Sequence, residues 1–175
     1  MAVRSVLLVN NWQFCFLDDS YYQTFPNHGI MESKEKSSDG RLHDRPCFFA
    51  FQDGTHKDIL WLVPISSRYD KYKAIYDKNI AKYGRCTFIR FGEVLGSQAA
   101  FLIQNMCPVT HKYIREVYLD KNNNPVMIDN RIVQDVISNA KTTLAKVAKG
   151  SNLVFTKVME IKEVLLAELK NNSAT

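Results

Sequence analysis

Short apolar blocks fill the N-terminal and central parts of the chain, and a three-and-four-residue apolar period takes over towards the C-terminus. β-Favouring blocks predict strands at residues 5–9, 13–17, 47–51, 56–63, 87–91 and 99–103. Asp53-Gly54 is a hairpin turn signal between two of them. Pro64 closes one block and Pro108 breaks after another. Residues 112–118 fit either a strand or a short helix, and residues 120–125 read as a turn.

Helical periods stand out at three places. Asp18-Asp19-Ser20 starts a short turn carrying Tyr21, Tyr22 and Phe25, which Pro26 ends. Tyr69, Tyr72, Tyr76, Ile80 and Tyr83 recur on one face of a central helix. Ser67 and Asp70 make a near capping box at its start and Gly84 stops it. At the end, Asp129 or Asn130 caps a helix whose face holds Ile132, Val133, Val136, Ile137, Leu144 and Val147, closed by Gly150. Val154, Phe155, Val158, Ile161, Leu165 and Leu169 mark another. The last two, joined by a Gly-Ser turn, predict an α-hairpin over 129–171 that covers an open sheet. Residues 27–44 are polar and aperiodic and read as a mobile loop. The expected fold is one α+β domain over residues 1–175: a curled antiparallel sheet or β-barrel, with one helix inserted and two packed outside.

Composition narrows the class. With 175 residues, 46% hydrophobic and 23% charged, the chain is long enough for a core and is ordinary for a globular domain. The net charge of +5 favours an acidic partner, nucleic acid first. No apolar run is long enough to span a bilayer, and the start reads as a first strand rather than a signal peptide. Cys15, Cys47, Cys86 and Cys107 form no CxxC pair and are expected as free thiols filling core space in a reducing cytoplasm. The four histidines have no metal-ligand spacing, so neither metal nor cofactor is expected.

The chemistry concentrates where the strand ending near Pro64 passes into the central helix. Such a junction offers unpaired backbone N–H groups and the positive end of a helix dipole. Here it also carries Ser66, Ser67 and Arg68, with Lys71 and Lys73 in the next turn. Two compatible readings stand: a plain helix cap with a solvated arginine, or a phosphate site. Arg41, His43 and Arg45 close the polar loop as either a solvated end or a phosphate clamp. Tyr21 and Tyr22 are either core or base-stacking platforms. Gly-rich phosphate loops and the common hydrolase and metalloprotease motifs are missing from the sequence. A basic chain with hydroxyls and cations at a helix start suits RNA cleavage by the substrate's own 2′-OH. That reaction asks the protein to orient, move protons and stabilise a phosphorane.

Several stretches together resemble a known family. Arg45-Pro46-Cys47-Phe48-Phe49-Ala50-Phe51, Val63-Pro64-Ile65-Ser66-Ser67-Arg68, Lys71-Tyr72, Ile75-Tyr76 and Lys82-Tyr83-Gly84-Arg85-Cys86 are similar to the endoribonuclease toxins of type III toxin–antitoxin systems. So are Ile89-Arg90-Phe91-Gly92, residues 100–106 and Pro108-Val109-Thr110. The nearest resemblance is to the CptN branch of the ToxN/AbiQ-like superfamily. It implies an SH3-like barrel of the Kid and MazF kind with added helices, in a bacterial, cytoplasmic protein of phage defence. It also implies sequence-specific, metal-independent cleavage to a 2′,3′-cyclic phosphate and a 5′-OH. The implied partners are a small pseudoknotted RNA antitoxin, which the toxin itself processes, and cellular or phage RNA substrate. Toxin and RNA antitoxin close a ring, a heterotetramer or heterohexamer. The family's serine falls on Ser67, beside Ser66. The lysine expected just after it is not matched, since Arg68 comes next and Lys71 later. Arg45 and Tyr21 or Tyr22 match an upstream basic position and a tyrosine.

The catalytic set expected from this reading is Ser67, Ser66, Arg68 and Lys71, with Lys57 and His56 as further proton donors. The RNA-binding set is Arg41, His43, Arg45, Tyr21, Tyr22, Lys73, Arg85 and Arg90. The alternatives are a non-catalytic basic RNA-binding module and a domain whose basic face meets an acidic protein.

Overall fold

The computed structural model describes residues 8–37 and 39–174. The expected first strand at 5–9 falls mostly outside them, and Leu8 and Val9 are irregular. Nine strands follow: β1 (Phe14–Leu17), β2 (Lys34–Lys36), β3 (Leu42–Asp44), β4 (Cys47–Gln52), β5 (Leu60–Ser66), β6 (Ile89–Val94), β7 (Ser97–Leu102), β8 (Cys107–Val109) and β9 (Ile114–Val117). Helices are α1 (Asp19–Thr24), α2 (Tyr69–Tyr83), α3 (Asn130–Ala148) and α4 (Val158–Ser173).

The main sheet is antiparallel, in the order β6-β7-β5-β4-β1-β9, with β8 also on β5. Among the described residues no pairing joins β6 to β9, so the expected barrel is not closed. β5 is the hub. Along one edge it pairs with β4; along the other Leu60–Leu62 pair with β8, then Ile65 and Ser66 with β7. Pro64 therefore does not end the strand. Ile65 donates its N–H towards β4, to Pro46. Alternation then puts the Pro64 nitrogen on the other edge, in the gap between β8 and β7, where no ladder bond is lost.

Both faces of β4 and β5 are buried, which is why their sequences read as continuous apolar runs. On one face Cys47, Phe49, Leu60 and Leu62 pack with Tyr21, Val158, Ile161 and Leu165. On the other, Phe14, Phe48, Val63 and Ile65 pack with Val133, Val136 and Ala140. α4 thus serves the first cluster and α3 mainly the second, with Leu144 and Val147 of α3 also packed on the first, rather than the two forming the expected α-hairpin on one side. The residues between them are not helical either: Phe155 donates its N–H to Gln104 O (2.9 Å) and Lys157 to His28 O (2.8 Å), so α4 begins only at Val158. Phe155 is exposed. A smaller cluster seats α2 on β6 and β7 through Tyr72, Ile89, Ala100 and Leu102.

The polar segment 27–44, expected as a mobile loop, contains the β2–β3 hairpin, with Glu35 opposite His43. Asp53-Gly54 opens a longer connection to β5 rather than a tight turn. The Asp53 carboxylate accepts from the Thr55 and His56 amides (3.1 Å each), from Trp61 Nε1 (3.0 Å) and from Lys162 (2.7 Å). Residues 112–118 divide into a 3₁₀ turn and then β9.

Candidate functional site

The end of β5 and the start of α2 form a corner held by an acid from a distant hairpin. Ser66, fully buried as the last residue of β5, has its hydroxyl hydrogen-bonded to Glu35 Oε1. Ser67 donates to Glu35 Oε2 through its amide (3.2 Å) and its hydroxyl (3.4 Å). The Arg68 amide donates to Ser66 Oγ at 3.1 Å. Glu35 is itself buried and faces Arg45 Nη1 at 3.5 Å. Arg45 also donates to the carbonyls of Glu32 and Ile65, both at 3.0 Å. A buried charge is tolerated when it is paired and hydrogen-bonded, and both conditions are met here.

The N-cap of α2 is Arg68, with no side-chain capping bond. Ser67, expected as the cap, is engaged by Glu35 instead. Tyr69 gives its N–H to the Ser67 carbonyl (2.9 Å), while the next N–H groups of the first turn have no side-chain acceptor and, with the dipole, keep the pull on anions that such a terminus exerts. Ser67 and Arg68 are exposed at this point, and the Arg68 guanidinium makes no ion pair among the described residues. Lys71 is exposed, its Nζ 5.2 Å from the Tyr72 ring centroid. Burial pushes the Tyr72 phenol above its ordinary range; Arg45 and Arg68 oppose the shift and Glu35 adds to it.

Ser67 opens into a groove of about 490 Å³ that is also lined by Glu35, His43, Phe16, Tyr118 and Gln98. Phe16 and Tyr118 stand edge to face, 5.1 Å between centroids, and the Arg115 guanidinium lies 5.4 Å from the Phe16 ring. Arg115 bonds Asp44 at 2.8 Å and, with Lys34, holds that carboxyl below its usual range.

Several residues expected at the site are elsewhere. Lys57 and His56 lie before β5, whose seven residues put them roughly 20 Å from its other end, where Ser66 sits. Neither can pass a proton there. Tyr21 is fully buried and bonds Pro108 O through its hydroxyl at 2.8 Å, so it is a core residue and not a stacking platform. Tyr22 is half-buried against the same core cluster. Arg90 forms a fork with Asp135 of α3 (2.7 and 3.0 Å), and Arg45 is occupied by Glu35; neither is free for phosphate. Lys73 pairs with Asp77 one turn on. Arg41, at the exposed tip of β2–β3, pairs with Asp39 at 3.1 Å, and Arg85 is exposed beyond the end of α2. His43 does reach the groove.

Sequence reasoning missed Glu35, Phe16, Tyr118 and Arg115. Glu35 carried no signal, because it sits in an aperiodic polar run. Among the described residues no group of three or more metal-ligating side chains comes together, and no helix is long and apolar enough to cross a membrane.

Fold and corner together define an α+β protein: an open antiparallel sheet that presents a helix N-terminus to a groove. The fold is similar to that of AbiQ, a lactococcal anti-phage endoribonuclease belonging to the type-III toxin–antitoxin system. The TM-score is 0.64 over 92% of this chain and 99% of that chain, at 12% sequence identity. No protein-family model matches the chain, and no curated protein does.

Proposed function

We propose that this chain is a sequence-specific, metal-independent endoribonuclease toxin of the type III kind, working in the bacterial cytoplasm against phage. In this reading it cuts RNA by attack of the 2′-OH on the adjacent phosphorus. The 2′-O–P bond forms, the P–O5′ bond breaks, and the products end in a 2′,3′-cyclic phosphate and a 5′-OH. The carrying observation is the exposed pair Ser67 and Arg68 at the open N-terminus of α2, beside the groove. The AbiQ-like fold supports the same reading.

In the reaction, the Ser67 hydroxyl turns from Glu35 to orient the 2′-OH or a phosphate oxygen. Arg68 and the first-turn N–H groups of α2 stabilise the charge that grows on the phosphorane, and Lys71 adds positive potential. Arginine stays protonated at neutral pH, so Arg68 binds charge rather than donating a proton. Phe16 and Tyr118 offer faces on which bases can stack. The partner is a small pseudoknotted RNA antitoxin that the toxin processes and that inhibits it in a toxin–RNA ring, a heterotetramer or heterohexamer.

One observation favours a second reading. The Glu35 carboxylate occupies both serines and puts negative charge where a phosphate would sit. A basic module that holds RNA without cutting it tolerates that arrangement more easily. Purified protein incubated in EDTA with single-stranded RNA, including any tandem repeat encoded beside its own gene, separates the two. New 5′-OH and cyclic phosphate ends support the toxin reading. Salt-dependent binding with intact RNA supports the module.

A further inference from the structure

The reaction proposed above needs a base for the 2′-OH, and the expected donors Lys57 and His56 are at the far end of β5. Glu35 is nearest to Ser67, but Ser66, both donors of Ser67 and the Arg45 guanidinium engage its two oxygens. Those donors already occupy the carboxylate oxygens that would have to reach a substrate hydroxyl.

We propose that His43 is a catalytic residue of this site, the general base that takes the proton from the 2′-OH of the RNA. The assignment rests on the endoribonuclease reading. His43 is the cross-strand partner of Glu35 in the β2–β3 hairpin, so the two side chains stand on the same face of that hairpin. Glu35 reaches Ser67, and His43 and Ser67 line one groove. The His43 Nδ1 lies 3.1 Å from the Asp44 carbonyl oxygen. A carbonyl only accepts, so Nδ1 carries the proton, and the neutral ring keeps a lone pair on Nε2. No described residue bonds Nε2.

The step balances without a cofactor. The 2′-oxygen gives its proton to Nε2 as the 2′-O–P bond forms. The P–O5′ bond breaks, and the 5′-oxygen takes a proton from water in the open groove. Imidazolium then returns its proton to solvent. The charged groups around His43 are Glu35 across the hairpin, Asp39, and Asp44, which Lys34 and Arg115 hold. The neutral Ser67, Ser97 and Gln98 line the same groove.

The test measures cleavage of mixed-sequence single-stranded RNA in EDTA by the full chain, with His43→Gln and His43→Ala beside it. Binding is measured on the same RNA with 2′-deoxy sugars. The expected result is a loss of roughly 10²–10⁴-fold in rate for both variants. Affinity for the deoxy RNA and the melting temperature should stay unchanged, and added imidazole should raise the His43→Ala rate. A merely structural histidine would not respond to free imidazole. His43→Gln cutting at the wild-type rate, or imidazole leaving His43→Ala unimproved while the wild type cuts, overturns the assignment alone. A wild type that leaves the RNA intact overturns the assignment together with the endoribonuclease reading.

Discussion

Glu35 holds Ser67 twice, by the backbone amide at 3.2 Å and the hydroxyl at 3.4 Å, although the two residues come from separate parts of the chain. The same carboxylate neutralises the buried Arg45. Glu35→Ala should therefore leave Arg45 charged and poorly compensated, and free the corner. Removing one partner of a buried pair costs about 3–5 kcal/mol; the two carbonyls that Arg45 retains place this case at the lower end. Urea unfolding at neutral pH measures it. A midpoint within error of wild type would mean that the hairpin does not brace the corner.

Ser67→Ala separates chemistry from stability. Because Arg68 is the N-cap and Ser67 provides no capping bond, the substitution should cost less than the ~1 kcal/mol of a lost cap. Cleavage should vanish while RNA binding persists. Gel-based cleavage and filter binding on the same preparation check both, and full cutting activity would take Ser67 out of the site.

The cations should sort by their partners. Arg68→Ala removes an unpaired exposed charge and should lower RNA affinity and reduce the salt slope by about 1. Arg90→Ala breaks the fork with Asp135 and should lower the melting temperature without changing that slope. His56→Ala and Lys57→Ala, at the far end of β5, should cut RNA at the wild-type rate. Fluorescence titrations across a salt series read the first two and cleavage rates the last.

Acid should weaken the fold through Asp53. Burial opposes its ionisation, but Lys162, Trp61 and two backbone amides outweigh that and bring its pKa to about 2. The folded value lies below the ordinary carboxylate value of about 3.9, so protons favour the unfolded chain. The stabilisation, on the order of 2 kcal/mol, is complete above the unfolded pKa and is lost as pH falls through about 2. Urea midpoints taken across that acid range should fall more steeply for wild type than for Asp53→Asn. Equal slopes would refute the link.

Local patterns carried the parts of the fold that local forces make. The apolar runs of β4 and β5 and the caps Asp18 and Asp129 are legible because strand burial and helix capping depend on neighbours in sequence. Gly84 at the end of α2, with φ 71°, is legible for the same reason. The hydroxyl–cation corner at 66–68 was visible in the same way. Pro64 misled, because whether a proline ends a strand depends on which edge its nitrogen faces, and only the pairing of β5 with both β8 and β7 decides that.

Tertiary structure alone decided what the charges do. Arg45 and Arg90 look alike in sequence to Arg68, yet Glu35 and Asp135 claim the first two across the fold. Nothing local marks Glu35 as buried, since a carboxylate enters an interior only where the folded chain brings a cation and donors to meet it. The sequence by itself determined the apolar strands and the amphipathic helices, through periodicity and capping, but not the polar β2–β3 hairpin or the short β8, which form by pairing. Which side chains meet at the groove was left to the packing, because ion pairs and hydrogen bonds between distant segments exist only once the sheet has brought them together.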